Sequence, residues 1–363
     1  MLKYSFTLYF IMNKRYNVAS FFSGCGGLDY GFHNDKFNIL IANDSWKDAV
    51  ESFKLNYPEV PVINKPIQNI SESELKEILK RGKVDILIGG PPCQCFTRLN
   101  NNQMIKLSEQ KKEDDRRMLS QEYIEKVRIL KPKIVLMENV KDLLVRRNQE
   151  GELYTDIIKK AFREIGYEVY YKLVLMNKYG IPQKRERVIF IATNVKELIK
   201  KMNQNPEYIF PNESKRIFTV GEALSKIKEN EKIKDHIFIK NDELTLERIK
   251  NIPQGGYYEK LPDRLKIKKI RNGKEVIVKR YGSYFRRLDP NDSSLTITKN
   301  YIIHPFKDRY LSNREKAMLH SFPKKYKFYG NGESVSQQIA NAVPPKFSIK
   351  IAQQIFKTLN ACT

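Results

Sequence analysis

The feature that most constrains this chain is a regular alternation, from residue 16 to residue 192, between short apolar runs and stretches of helical period. An apolar run of roughly four to eight residues bounded by turn formers reads as a buried strand. Strands separated by helical patterns need crossover connections, and those connections build a mainly parallel sheet with helices on its faces. Runs at 18–22, 38–42, 84–88, 134–137, 168–175 and 188–192 predict the strands. Residues 46–57, 121–130 and 152–165 predict helices, the last two stopped by Pro132 and Gly166. Ser71 with Glu74 three residues on predicts a capping box opening another helix toward Lys80. The expected class is therefore α/β, built from parallel β-α units.

Polar and glycine-rich strings stand where the predicted strands end. After the first comes Phe22-Ser23-Gly24-Cys25-Gly26-Gly27-Leu28, a turn whose glycines let backbone approach a nucleotide-like ligand. Asp44, 20 residues beyond Gly24 and just past the second strand, occupies the place of an acid that binds ribose hydroxyls. These two features favour a nucleoside cofactor over a plain tight turn, without separating NAD from AdoMet. After the strand at 84–88 stands Gly89-Gly90-Pro91-Pro92-Cys93-Gln94-Cys95-Phe96-Thr97, where two prolines hold a cysteine in the same cleft. Glu138-Asn139-Val140 follows the next strand, and an acid ending a buried apolar run is costly unless something holds it. Gln183, Arg185 and Arg187 alternate, so on one strand they would share a face. That face would support Glu138 or a phosphate.

Charge narrows the partner. Lys and Arg number 66 against 42 Asp and Glu, a net +24 that attracts polyanions, although Lys, Asn and Ile are plentiful throughout. Ten basic residues and one acid, Glu275, lie between Arg264 and Arg287, interleaved with Tyr281, Tyr284 and Phe285. Residues 193–308 thus predict a compact, irregular, basic second domain, with helical patterns returning after Arg309 and again from 335 to 359, broken at Pro344-Pro345. The four cysteines, Cys25, Cys93, Cys95 and Cys362, form neither a disulfide framework nor a zinc-ligand pattern, which suits a reducing cytosol and no metal. No stretch reaches the length of a membrane span. The apolar residues before Met12 lack a cleavage signature and are expected to be an extension, residues 1–15, with Met12 a natural start.

Taken together these strings resemble the DNA cytosine-5 methyltransferase family in spelling and order, across 17–354. The resemblance continues through Arg309-x-Leu311, Arg314-Glu315, Phe322-Pro323 and the run from Gln338 to Pro345. It implies a Rossmann-like AdoMet-dependent methyltransferase fold with a catalytic domain at 16–192, a smaller irregular target-recognition domain at 193–308, and a segment at 309–363 returning to the catalytic domain. Cys93 would be the nucleophile, with Glu138, Asn139, Arg185 and Arg187 around the base. Phe22, Gly24, Gly26, Gly27, Leu28, Asp44, Ser45, Ile67, Pro91, Leu119, Asn341 and Val343 would hold AdoMet, with AdoHcy as product. Gln94, Thr97, Arg98, Arg286, Arg287, Thr296 and Thr298 would meet double-stranded DNA. The family's acid before Ile67 is replaced here by Pro66.

A chain this compact resembles the bacterial restriction–modification type: a cytoplasmic, DNA-associated monomer with a cognate endonuclease. The alternatives are an RNA (tRNA) cytosine-5 methyltransferase, a branch that Thr97-Arg98 resembles, and a catalytically silent DNA-binding relative. The first is disfavoured because the second domain lacks that branch's Cys-Phe-Thr string, and the second because Cys93 and Glu138 are intact.

Overall fold

The computed structural model describes residues 15–91, 122–148, 151–271, 273–278 and 285–362. The chain divides into two compact units, one comprising the chain through Leu175 with Glu186–Asn212 and Pro345–Thr363, the other Met176–Arg185 with Glu213–Pro344.

In the first unit, β1 (Tyr16–Phe21), β2 (Phe37–Asn43), β3 (Val62–Ile63), β4 (Ile86–Gly89), β5 (Ile134–Val140) and β6 (Glu168–Leu175) are joined by a later strand. A two-residue strand, β7 (Gln183–Lys184), lies in the second unit, and β8 (Glu186–Thr193) completes the sheet of the first. The seven strands run in the order β3-β2-β1-β4-β5-β8-β6. The pairings from β3 to β5 are parallel, as the alternation predicts. β8 departs from that expectation and runs antiparallel to both β5 and β6. A parallel return needs a crossover of a dozen or so residues, usually a helix. The excursion through 176–185 holds a short 3-10 turn and the two-residue β7 but no crossover helix, so β8 comes back alongside β6 in the opposite sense.

Helices α1 (Lys47–Asn56), α2 (Glu72–Arg81), α3 (122–130), α4 (Tyr154–Glu164) and α5 (Lys196–Gln204) accompany the sheet. The capping box forms at α2: Ser71 Oγ accepts from the Glu74 N–H at 3.3 Å, and the Glu74 carboxylate accepts from the Ser71 N–H at 2.9 Å. Every residue of β4 is buried, which is what a central parallel strand covered on both faces requires. Phe21, Leu87, Val135 and Met137 from the strands pack with Leu75, Tyr123, Ile158 and Phe162 from the helices. The C-terminal helix, Pro345–Cys362, fastens the glycine-rich turn after β1. Gly31 N–H donates to Ser348 Oγ at 2.8 Å, and that hydroxyl donates in turn to the Leu28 carbonyl. A Cβ at Gly31 would lie 2.2 Å from the Ser348 carbonyl oxygen, so only glycine fits.

The second unit carries α6 (Val220–Leu224), α7 (Glu243–Lys250), an antiparallel ribbon of β9 (Lys268–Arg271) and β10 (Lys274–Ile277), and β11 (Ser294–Leu295) paired with β7. It closes with α8 (Asn313–Leu319) and α9 (Gly332–Asn341). Its core gathers Ile249, Ile252, Tyr258, Leu261, Leu265, Phe285, Ile303 and Tyr310. The boundaries differ from the sequence expectation: residues 309–344 belong to this unit, and the chain returns to the first at Pro345. Ion pairs hold that segment. Arg309 grips Glu315 through two contacts of 2.9 Å and reaches Glu229, while Arg314, almost wholly buried, binds Asp235 and the carbonyls of Pro323 and Tyr326.

Candidate active site and nucleic-acid surface

The carboxyl ends of β1, β2, β4 and β5 gather the first unit's candidate residues. At the end of β1 the backbone turns left-handed at Phe22 (φ 54°), Gly24 (φ 55°) and Gly26 (φ 88°). Gly24 N–H donates to Asp44 Oδ2 at 2.8 Å, and Trp46 N–H donates to Asp44 Oδ1 at 2.8 Å. Ser23 adds two hydrogen bonds to the Asn43 carbonyl. The predicted acid thus meets the predicted turn, and burial raises its carboxyl above the usual range against those backbone donors. Ser45 is exposed beside it, and Leu28 and Gly27 are buried in the turn. Phe22 is half-buried, its ring 6.2 Å from that of Tyr123. Ile67 is a buried member of the main core, and Lys65 beside Pro66 is paired with Glu74 at 2.6 Å.

Two buried groups in the turn were not anticipated as such. Burial pushes the Cys25 thiol up to about 12, which leaves it unreactive. Burial, with a smaller contribution from nearby Asp44, raises the Asp29 carboxyl to about 7.

At the ends of β4 and β5 two strings meet. Asn139 Nδ2 donates to the Pro91 carbonyl at 3.1 Å, and its Oδ1 accepts from Val140 N–H at 2.9 Å. Glu138, mostly buried, pairs with Arg187 Nε at 2.9 Å. Gly90 lies against Glu138: a Cβ there would stand 3.4 Å from Glu138 Oε2, an ordinary contact. Cys93, Gln94, Thr97, Arg98 and Leu119 lie outside the described residues.

Gln183, Arg185 and Arg187 do not share one strand. The ladder breaks at Arg185, which separates β7 from β8, and only Arg187 pairs with Glu138. Arg185 is buried and donates to the Ala342 carbonyl at 3.2 Å. The same carbonyl accepts from His320 Nε2 at 2.8 Å. A carbonyl can only accept, so His320 Nδ1 is the acceptor for Gln183 Nε2 at 2.9 Å, and Gln183 Oε1 accepts from Ile297 N–H at 3.1 Å. This buried chain runs from the 294–298 segment to the turn between Asn341, which is exposed, and Val343, which is buried. Nothing in the spelling of the sequence marks His320 for it.

In the second unit one expectation is corrected. Arg287, which the resemblance would have meet DNA, is 5% exposed. Its guanidinium donates to the carbonyls of Ile249, Ile252, His304 and Lys307 and to Asp308 Oδ1, all within 3.1 Å. With all five contacts internal it is a structural pin. Arg286 beside it is half-exposed. Thr296 Oγ1 donates to the Lys184 carbonyl at 3.3 Å, and Thr298 Oγ1 accepts from Asn300 N–H at 3.3 Å. Both threonines are partly exposed.

A mixed sheet with a glycine turn after β1 and polar side chains at the ends of β2 and β5 defines a Rossmann-like methyltransferase fold. Solved structures share it: a prophage-encoded Escherichia coli protein described as a DNA modification methyltransferase is 22% identical with a TM-score of 0.71, over 96% of this chain and 99% of that one. The Dnmt2 methyltransferase of S. pombe is 17% identical with a TM-score of 0.61, over 95% of this chain and all of that one. The chain belongs to the C-5 cytosine-specific DNA methylases, whose family model matches residues 16–357. Curated relatives include the type II methyltransferase M.FnuDI of Fusobacterium nucleatum, 31% identical over 94% of each chain. Another is M1.HphI of Haemophilus parahaemolyticus, 28% identical over 98% of this chain and 91% of that one. The protein is a DNA (cytosine-5) methyltransferase resembling the bacterial restriction–modification type.

Proposed function

We propose that the chain methylates carbon 5 of one cytosine within a specific double-stranded DNA sequence, with Cys93 as nucleophile and Glu138 gripping the flipped base. The observation that carries this reading is the joint anchoring at the end of β5. Asn139 holds the Pro91 carbonyl, two residues before Cys93, while Glu138 is held beside it by Arg187. Carbon 5 of cytosine is too weak a nucleophile unaided. Addition of the Cys93 thiolate to carbon 6 forms a C–S bond and loads electron density onto carbon 5. Glu138 hydrogen-bonds ring nitrogen 3 and the exocyclic amine, offsetting charge as the thiolate adds. Once carbon 5 carries the methyl group, a water molecule takes its proton, and the electron pair of that C–H bond re-forms the carbon 5–carbon 6 double bond as the C–S bond breaks and Cys93 leaves as thiolate. The target atom lies inside the duplex stack, so the base must leave it to reach these groups.

AdoMet, when bound, supplies an electrophilic methyl group, with AdoHcy left as product. The first unit fits it. A Cβ on Gly24 would meet nothing within 4 Å, so the turn leaves open space beside backbone that only glycine adopts easily. Asp44 keeps acceptor capacity beyond its backbone donors Gly24, Ser45 and Trp46 and suits a ribose diol. Phe22 offers an aromatic ring for the adenine. Pro91, at the end of β4, would complete the first unit's lining, whereas Pro66 has no side-chain acceptor for the adenine amine.

The relatives' type II names support a restriction–modification setting; with it we propose a cognate endonuclease and a monomer that acts in the bacterial cytoplasm. Among the described residues no helix is long and apolar enough to cross a membrane. The second unit, with its basic run, would choose the site. Bisulfite sequencing of DNA from cells expressing the chain tests the whole reading. Conversion-resistant cytosines confined to one short sequence are expected, and their absence contradicts it.

A further inference from the structure

We propose that His320 is a positioning residue for target recognition, which fixes the Gln183 amide and through it the 296–298 segment that the second unit presents to DNA. The inference rests on the reading that this unit chooses the DNA site. It goes further by naming a side chain that sets the geometry of the choice without touching DNA, because His320 is wholly buried. Every group in the chain of contacts belongs to the second unit. The segment is held at its start by the pairing of β11 with β7. Ser294 N–H donates to the Pro182 carbonyl at 3.0 Å, and Thr296 Oγ1 donates to the Lys184 carbonyl at 3.3 Å. That ladder is two residues long. Beyond it the Ile297 N–H donates to a side chain, Gln183 Oε1 at 3.1 Å, and Thr298 follows, partly exposed.

A carboxamide side chain can turn either its oxygen or its amine toward a neighbour, and the oxygen accepts while the amine donates. A backbone N–H only donates. Ile297 is therefore held in one orientation of Gln183, and in the other it meets a second donor. His320 selects the first. Its Nε2 donates to the Ala342 carbonyl at 2.8 Å, which leaves Nδ1 as the acceptor for Gln183 Nε2 at 2.9 Å. The far end is fixed as well, since Arg185 donates to that same carbonyl at 3.2 Å. Gln183, Arg185, Ile297 and His320 are all buried. An unpaired polar group is costly there, and a fully paired chain of them specifies one arrangement. An apolar side chain in place of His320 would free the amide to turn and release Ile297, and with it the threonine segment.

The test uses the full chain and measures kcat and KM separately on a duplex carrying the sequence that bisulfite mapping identifies. His320→Leu keeps much of the side-chain volume and removes both hydrogen bonds. It is expected to raise KM for the duplex about tenfold, the size that follows when buried polar groups lose a partner, with kcat nearly unchanged. Discrimination against duplexes with one base of the site changed should narrow. His320→Gln, whose oxygen can accept from Gln183 and whose amine can donate to Ala342, should restore KM and discrimination. Gln183→Leu should raise KM alike, and the double variant His320→Leu/Gln183→Leu should be no worse than either single one, because both act through one chain. A wild-type KM in His320→Leu overturns the proposal, as does a His320→Gln protein no better than His320→Leu. Should His320→Leu fail to fold, Gln183→Leu carries the test, and a wild-type KM there overturns it. If wild type methylates DNA while these variants recognise it normally, the His320 inference alone fails. Absence of methylation by wild type instead removes the functional reading beneath it.

Discussion

The end of β5 and the β9–β10 ribbon both concentrate charge, and they do so in opposite ways. At β5 the charge is buried, opposed and fixed: Glu138 faces Arg187, and Asn139 spends both ends of its amide on backbone. On the ribbon the charge is exposed and of one sign on one face. Fixed dipoles and paired charges in a sheltered place stabilise charge that develops during a reaction, because they need no reorganisation. Exposed like charges attract a polyanion over a distance and let it settle in more than one register. The first region suits chemistry done identically each time, the second a partner whose backbone is uniform.

The sharpest way to break this contrast is to neutralise the acid at β5. Glu138→Gln should reduce kcat by about two to four orders of magnitude with DNA binding kept, the range general acid–base and charge-stabilising groups supply. Single-turnover methylation with tritiated AdoMet measures it, and near-normal turnover would mean that Glu138 only holds Arg187.

A second prediction concerns an arginine whose chain position misleads. Arg287→Ala removes five internal contacts and strands several buried carbonyls, so it should cost on the order of 3–5 kcal/mol in stability. Arg286→Ala should cost about 0.5 kcal/mol or less. Denaturant melts of both variants decide it, and a stable Arg287→Ala protein with relaxed target choice would contradict the structural role.

A further expected effect is a pH dependence. The Asp29 carboxyl is raised from 3.8 to about 7 in the folded chain. A carboxyl raised on folding favours the native state fully below its unfolded value, and that contribution is lost as pH rises through the folded value. Wild type should therefore lose stability between about pH 4 and pH 7, and Asp29→Asn should lose less. Melting temperatures at pH 5, 6, 7 and 8 should diverge in favour of the variant, and parallel curves would contradict the assignment.

How much of this the sequence discloses follows from what local patterns can encode. Strands β1, β2, β4 and β5 are legible because buried strands are continuous apolar runs, whereas the two-residue, half-buried β3 is not, and the Ser71 capping box is legible because its spacing is local. The link from Gly24 to Asp44 is legible because both sit at strand ends on neighbouring strands. The antiparallel sense of β8 is not, since direction depends on the length and path of the connection through 176–185. Gln183, Arg185 and Arg187 look like one face until the ladder breaks at Arg185. Arg287 looks like a DNA contact until its internal partners, distant in sequence, are known. His320 carries no sequence signal, because its role is set wholly by the groups that converge on it.

The central claim is that Cys93 is the nucleophile, and covalent trapping tests it most directly. A duplex carrying 5-fluorocytosine in the methylated context, incubated with wild type and AdoMet, should yield a denaturation-resistant adduct because fluorine cannot leave as the proton does. Mass spectrometry should place the base on Cys93, and Cys93→Ala should fold normally and form no adduct. An adduct that persists in Cys93→Ala, or that maps to Cys95, would contradict the account.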